Sequence, residues 1–188
     1  MNQQEKQDKF IEIYCIKRLN CWEAIAEEEK SDIETMKKTY KKIDNYLSEK
    51  CGSSPQEIKE FYKLPLLDEI NTVFTKFTSD RKTGFKTFEN FYLWFSNQPK
   101  NCHYCKTSEV DLIKLFNNVF KPKKEAWKNG TLQIEKKEPD KGYIPENCVL
   151  ACVLCNNAKS DLITDKDFEV YFAEPMRLYL LEQIKKTK

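Results

Sequence analysis

Two stretches, Asn101–Lys106 (NCHYCK) and Thr131–Asp161 (TLQIEKKEPDKGYIPENCVLACVLCNNAKSD), decide how the chain is read. Cys102 and Cys105 form one C-x-x-C and Cys152 and Cys155 a second, with residues 106–151 between them. A two-residue spacer folds the backbone into a tight knuckle, so that both thiolates reach one ion at about 2.3 Å, and two knuckles complete a tetrahedral Zn²⁺ site. Thioredoxin-like redox chemistry uses one such pair and does not call for a second. The spacing therefore predicts one structural zinc on Cys102, Cys105, Cys152 and Cys155, clamping two segments far apart in the chain.

The residues around the second knuckle carry a further signal. An apolar strand ending in an acid (Leu132-Gln133-Ile134-Glu135), a turn at Gly142-Tyr143, then Asn147, Cys152-x-x-Cys155-Asn156 and Lys159 resembles the HNH endonucleases. The resemblance spans about Asn101 to Asp161. It implies an α+β, mainly helical protein with a C-terminal, zinc-braced ββα-metal module (HNH-like, of treble-clef type) and a helical N-terminal region. It further implies that Glu135 and Asn156 hold a catalytic Mg²⁺ or Mn²⁺, that Asn147 pins the loop between the strands, and that Lys159 meets a phosphate. A hard cation with carboxylate and amide oxygens would neutralise the scissile phosphate and stabilise the leaving oxygen.

The family's acidic residue is usually followed by a water-activating histidine, whereas Lys136 follows Glu135 here. The single histidine, His103, sits inside the first knuckle, where it is expected to face solvent. The general base is left between Lys136 and Tyr143. Both titrate near pH 10 unperturbed, and a neighbouring cation pushes either toward its deprotonated form. Strand alternation turns Lys136 away from the Glu135 face, and ββα-metal enzymes with tyrosine in place of the histidine are known, which favours Tyr143.

Composition bounds the rest. A chain of 188 residues fits one compact domain or two small ones, and 13% aromatic residues with four glycines argue against disorder. The longest apolar run is Cys148–Cys155, far short of a membrane span, and the N-terminus has no apolar signal segment. The expectation is a reduced, cytoplasmic protein in which Cys15, Cys21, Cys51 and Cys148 are small core residues. A net charge of +2 excludes a polycation, yet Lys114, Lys121, Lys123, Lys124, Lys128, Lys136 and Lys137 face only Glu125 and Glu135 within that stretch. This run reads either as a phosphate-tracking patch containing Lys121, Lys123, Lys124 and Lys128 or as a solvated face.

Apolar periodicity and punctuation predict the order of elements. Residues 1–50 read as helical and similar to a helix-turn-helix, with a second helix carrying Ile33, Met36, Tyr40, Ile43 and Tyr46 or Leu47 on one face and Lys37, Lys38, Lys41 and Lys42 on the other. Residues 51–100 read as a helical support. Ser54-Pro55-Gln56-Glu57 is a capping box there, Thr78–Gly84 a polar loop and Thr87–Ser96 a buried aromatic helix. Residues 101–188 form the zinc module with C-terminal helices. The function expected is a metal-dependent endonuclease, restriction-like or phage-type, acting on double-stranded DNA away from membranes, with a homodimer favoured because two strands need two sites. The alternatives are a zinc-stabilised DNA-binding module without catalysis, or a structural partner protein with a solvated lysine surface.

Overall fold

A computed structural model describes residues 1–124 and 127–187, with the Ser79 side chain outside the description; Glu125, the other countercharge of the lysine-rich stretch, lies outside it too. The protein is mainly helical, 61% of it, with one two-stranded sheet among the described residues. It divides into two compact units, residues 1–82 with 86–93, and residues 83–85 with 94–188.

In the first unit, α1 (Gln3–Phe10) opens with a capping box between Asn2 and Glu5 and continues as a π-helical segment, Ile11–Ile16. The helical pattern breaks before α2 (Trp22–Glu28), with Arg18 at φ 60°. Then come α3 (Ile33–Tyr40), α4 (Ile43–Cys51), α5 (Pro55–Phe61) and α6 (Leu66–Phe74). Phe10, Tyr14, Phe61 and Tyr62 stack into one aromatic cluster that joins α1 to α5, and burying rings of this size is a large apolar contribution. The capping box at α5 is formed as read, with Ser54 and Glu57 exchanging side-chain and backbone bonds.

Two readings change. The expected continuous helix from Ile33 to Leu47 is two helices, because Lys41 takes φ 60° and Lys42 is extended. Asn45 donates to the Tyr40 carbonyl at 2.7 Å, which closes the end of α3. The sequence pattern could not show this, since Met36 and Leu47 are both buried and both helices keep an apolar face. Lys37, Lys38 and Lys41 are exposed, on and just past α3, rather than along one long helix.

The second change is Thr78–Gly84, which is helical in α7 (Ser79–Phe85) instead of a loop. Gly84 looked like punctuation. Its φ is ordinary, but a Cβ there would stand 1.6 Å from the Tyr143 carbonyl oxygen, so the glycine serves close approach of two backbones. The aromatic helix α8 (Phe88–Ser96) follows, as predicted from its sequence.

In the second unit, α9 (Glu109–Asn118) is capped by Ser108, and Gly130 at φ 66° turns the chain toward the sheet. Strands β1 (Gln133–Lys136) and β2 (Cys148–Ala151) pair antiparallel, Gln133 opposite Ala151 and Lys136 opposite Cys148. A helix, α10 (Val153–Lys159), leaves β2 through Cys152. The sequence alone suggests a helix beginning at Asn156; it begins three residues earlier, because the second knuckle is itself the helix's first turn. The chain ends in α11 (Asp165–Tyr171), capped by Thr164, and α12 (Ala173–Lys185), the break between them falling ahead of Pro175. No helix is long and apolar enough to cross a membrane among the described residues.

Candidate metal centre

Each knuckle is built by local backbone bonds before any metal is considered. In the first, Lys106 N–H donates to the Cys102 carbonyl at 3.0 Å and Cys102 N–H to the Thr107 carbonyl at 2.9 Å. Lys106 takes φ 59° to make the turn. His103 N–H donates to the Leu150 carbonyl at 2.7 Å, which hangs this knuckle on β2. In the second knuckle, Cys152 Sγ caps α10 by accepting from Cys155 N–H at 3.4 Å.

The four thiols therefore meet. All are buried and their sulfurs lie within 4.8 Å of one another. Cys105 Sγ and Cys152 Sγ are 3.8 Å apart. A tetrahedron with Zn–S bonds of about 2.3 Å has an S···S edge of about 3.8 Å, so the cluster has the dimensions of a structural zinc site. Electrostatics agrees. Hydrogen bonding among the four thiols, to Cys102 foremost, pushes Cys152 and Cys155 up while Cys102 and Cys105 are held down, so the group shares protons that a bound cation would displace.

On the sheet face toward α10, Gln133 and Glu135 project together. Asn156 Nδ2 donates to Gln133 Oε1 at 2.8 Å, and Lys159 Nζ lies 3.3 Å from Glu135 Oε1 and 3.0 Å from the Lys136 carbonyl. Lys159 is fully buried and Glu135 only 7% exposed. Burial pushes the Glu135 carboxyl up, and Lys159 only partly offsets it. Glu135 and Asn156 thus lie along one strand–helix seam but use different partners. The oxygens suit a hard cation, but the Lys159 ammonium already neutralises the carboxylate in a sealed position. With Lys159 seated, this pocket does not fit a divalent ion, and Lys159 does not reach a phosphate.

The remaining expected residues sit beside that seam. Asn147 is buried and makes three bonds: its Nδ2 donates to the Glu138 and Gly142 carbonyls, each at 2.8 Å, and its Oδ1 accepts from Glu138 N–H at 3.0 Å. Lys136 reaches the Pro139 carbonyl at 3.2 Å and Asp161 at 3.7 Å, with its ammonium 5.5 Å from the Tyr143 ring centroid. Both candidate bases are therefore together. Lys121, Lys123, Lys124 and Lys128 are exposed, with the Lys124 ammonium over Trp127 and Lys121 bonding the Asn117 carbonyl.

Sequence reasoning missed one group altogether. His103, Asp165 and Glu169 bring one ligand atom each within 4.8 Å of one another. His103 is partly buried instead of facing solvent, since Tyr104 draws α11 over it by donating to Asp165 Oδ1 at 2.9 Å. The available signal was weak. Thr164 capping places Asp165 and Glu169 one turn apart on the same helical face, but nothing local says that the face meets residue 103.

No family model, curated protein or solved structure matches this chain.

Proposed function

We propose that the chain acts on double-stranded DNA as a zinc-braced module of HNH type, with metal-dependent phosphodiester hydrolysis as its activity. The observation that carries this reading is Asn147. The resemblance assigns an asparagine at this place the task of pinning the loop between two strands, and Asn147 spends its whole amide on that loop. The hairpin behind it runs straight through the second cysteine pair into α10, an order the resemblance also implies. Exposed Lys121, Lys123, Lys124 and Lys128 precede β1 and would track the phosphate backbone. The Lys136–Tyr143 pair is the nearest source of a general base.

A second reading, DNA binding without cleavage, is favoured by the Glu135–Lys159 pair, which occupies the carboxylate that hydrolysis would need. One experiment separates them. Supercoiled and linear DNA are incubated with the protein in Mg²⁺ or Mn²⁺ and in EDTA, with binding followed in parallel by gel shift. Metal-dependent cutting that Glu135→Ala abolishes is the expected result. Retention of DNA without cutting moves the assignment to the binding module, and neither cutting nor retention removes both.

A further inference from the structure

We propose a second metal site in this chain, formed by His103 Nε2, Asp165 and Glu169 and taking a borderline dication, Zn²⁺ foremost. It lies outside the four-cysteine cluster and outside the Glu135 seam, and it stands whether or not the chain cuts DNA.

Three observations carry it. His103 Nε2 is 3.2 Å from Glu169 Oε1, close to the nitrogen–oxygen edge of about 3.4 Å expected for a tetrahedral ion with bonds of about 2.1 Å. That same Nε2 atom is buried and makes no aligned hydrogen bond, so it faces the carboxylate as one ligand atom faces another across a shared ion. Finally, Asp165 is held by Tyr104, whose hydroxyl donates to its Oδ1 at 2.9 Å. Metal-bound carboxylates are usually oriented by such an outer hydrogen bond.

The donor set selects the ion. One imidazole with two carboxylates suits zinc better than Mg²⁺ or Ca²⁺, which prefer all-oxygen shells. Three protein ligands leave coordination open. Glu169 is 47% exposed in its side chain, so solvent reaches the site from that side, and water or a phosphate oxygen would complete the shell. His103 is also bound through its backbone to β2, and Cys102 beside it belongs to the first knuckle. An ion here would therefore tie α11 to the knuckle that the structural zinc already fixes.

The test is metal stoichiometry on the full chain. Protein saturated with Zn²⁺ and freed of excess by gel filtration is analysed for metal, beside Asp165→Asn/Glu169→Gln and the single Glu169→Gln, which alters a partly exposed position. Two zinc ions per wild-type chain and one per double variant are expected, with Glu169→Gln weakening the second site by about tenfold or more. Co²⁺ substitution gives the control, since thiolate charge-transfer absorption reports the cysteine site alone and should persist in both variants. One zinc per wild-type chain at saturation overturns the proposal, as does a second zinc that both variants retain at wild-type affinity.

Discussion

Lys159 is the residue whose surroundings most change its chemistry. A lysine at the end of a helix is usually solvated, yet this one is fully buried against Glu135. Breaking a buried pair from one side leaves an uncompensated charge, so Lys159→Met is expected to cost about 3–5 kcal/mol in urea unfolding, with Glu135→Gln/Lys159→Met recovering much of it. A double variant no more stable than the single one would refute the pairing. Protons act on the same group with a definite sign. Glu135 is raised in the folded state by burial, so between the ordinary glutamate value and the raised one the native chain binds more protons than the unfolded chain. Its contribution therefore falls as pH rises through that window, and Glu135→Gln should flatten this part of the stability–pH profile. Thiols differ as sharply. Cys21 is exposed, contrary to its reading as a core residue, whereas burial pushes Cys15 and Cys51 up to about 11. A thiol reagent should label Cys21 rapidly in the zinc-loaded protein and reach the four ligand cysteines only once the metal is stripped.

At the scale of elements, the hairpin depends on two interactions that its strands do not supply. Asn147→Ala removes the bonds that close the loop, leaving partly buried Glu138 and Gly142 backbone groups without their side-chain partner at about 1–3 kcal/mol in total. Limited proteolysis should then cut between residues 138 and 146 at protein concentrations and times that leave the parent intact. Gly84→Ala should be worse than its small size suggests, because its Cβ would overlap the Tyr143 carbonyl and α7 would have to withdraw from the loop. A melting temperature equal to that of the parent would show that this approach is dispensable.

For the whole molecule, the metal and the division into units make a joint prediction. All four cysteines belong to the second unit. Chelation should therefore raise amide exchange across β1, β2 and α10 while α1, α4 and α5 keep their protection, because a site that closes residues 102–155 supplies folding free energy to that unit alone. Uniform exchange throughout, or none, would refute it. The DNA reading is tested at the same scale. If the exposed lysines ahead of β1 meet phosphates, replacing Lys121, Lys123 and Lys124 with glutamine should reduce the slope of log affinity against log salt by about 0.9 for each phosphate that is no longer neutralised.

Much of this was legible because it is local or periodic. The two-residue cysteine spacers and the Ser54–Glu57 box each depend on residues within a few positions of one another, where covalent geometry leaves few choices. Helix α7 was missed because Gly84 has two uses, turning and close approach, and only its neighbour in space shows which applies. The fate of Glu135 and Lys159 was equally hidden, since a charged pair is solvated or sealed according to how a helix docks on a strand 24 residues away in sequence. The sequence by itself determined the two cysteine knuckles and the capped helix start at Ser54–Pro55. Only the tertiary structure decided that the expected catalytic carboxylate is locked to a lysine and that His103 meets Asp165 and Glu169, because burial and the meeting of distant side chains are properties of packing.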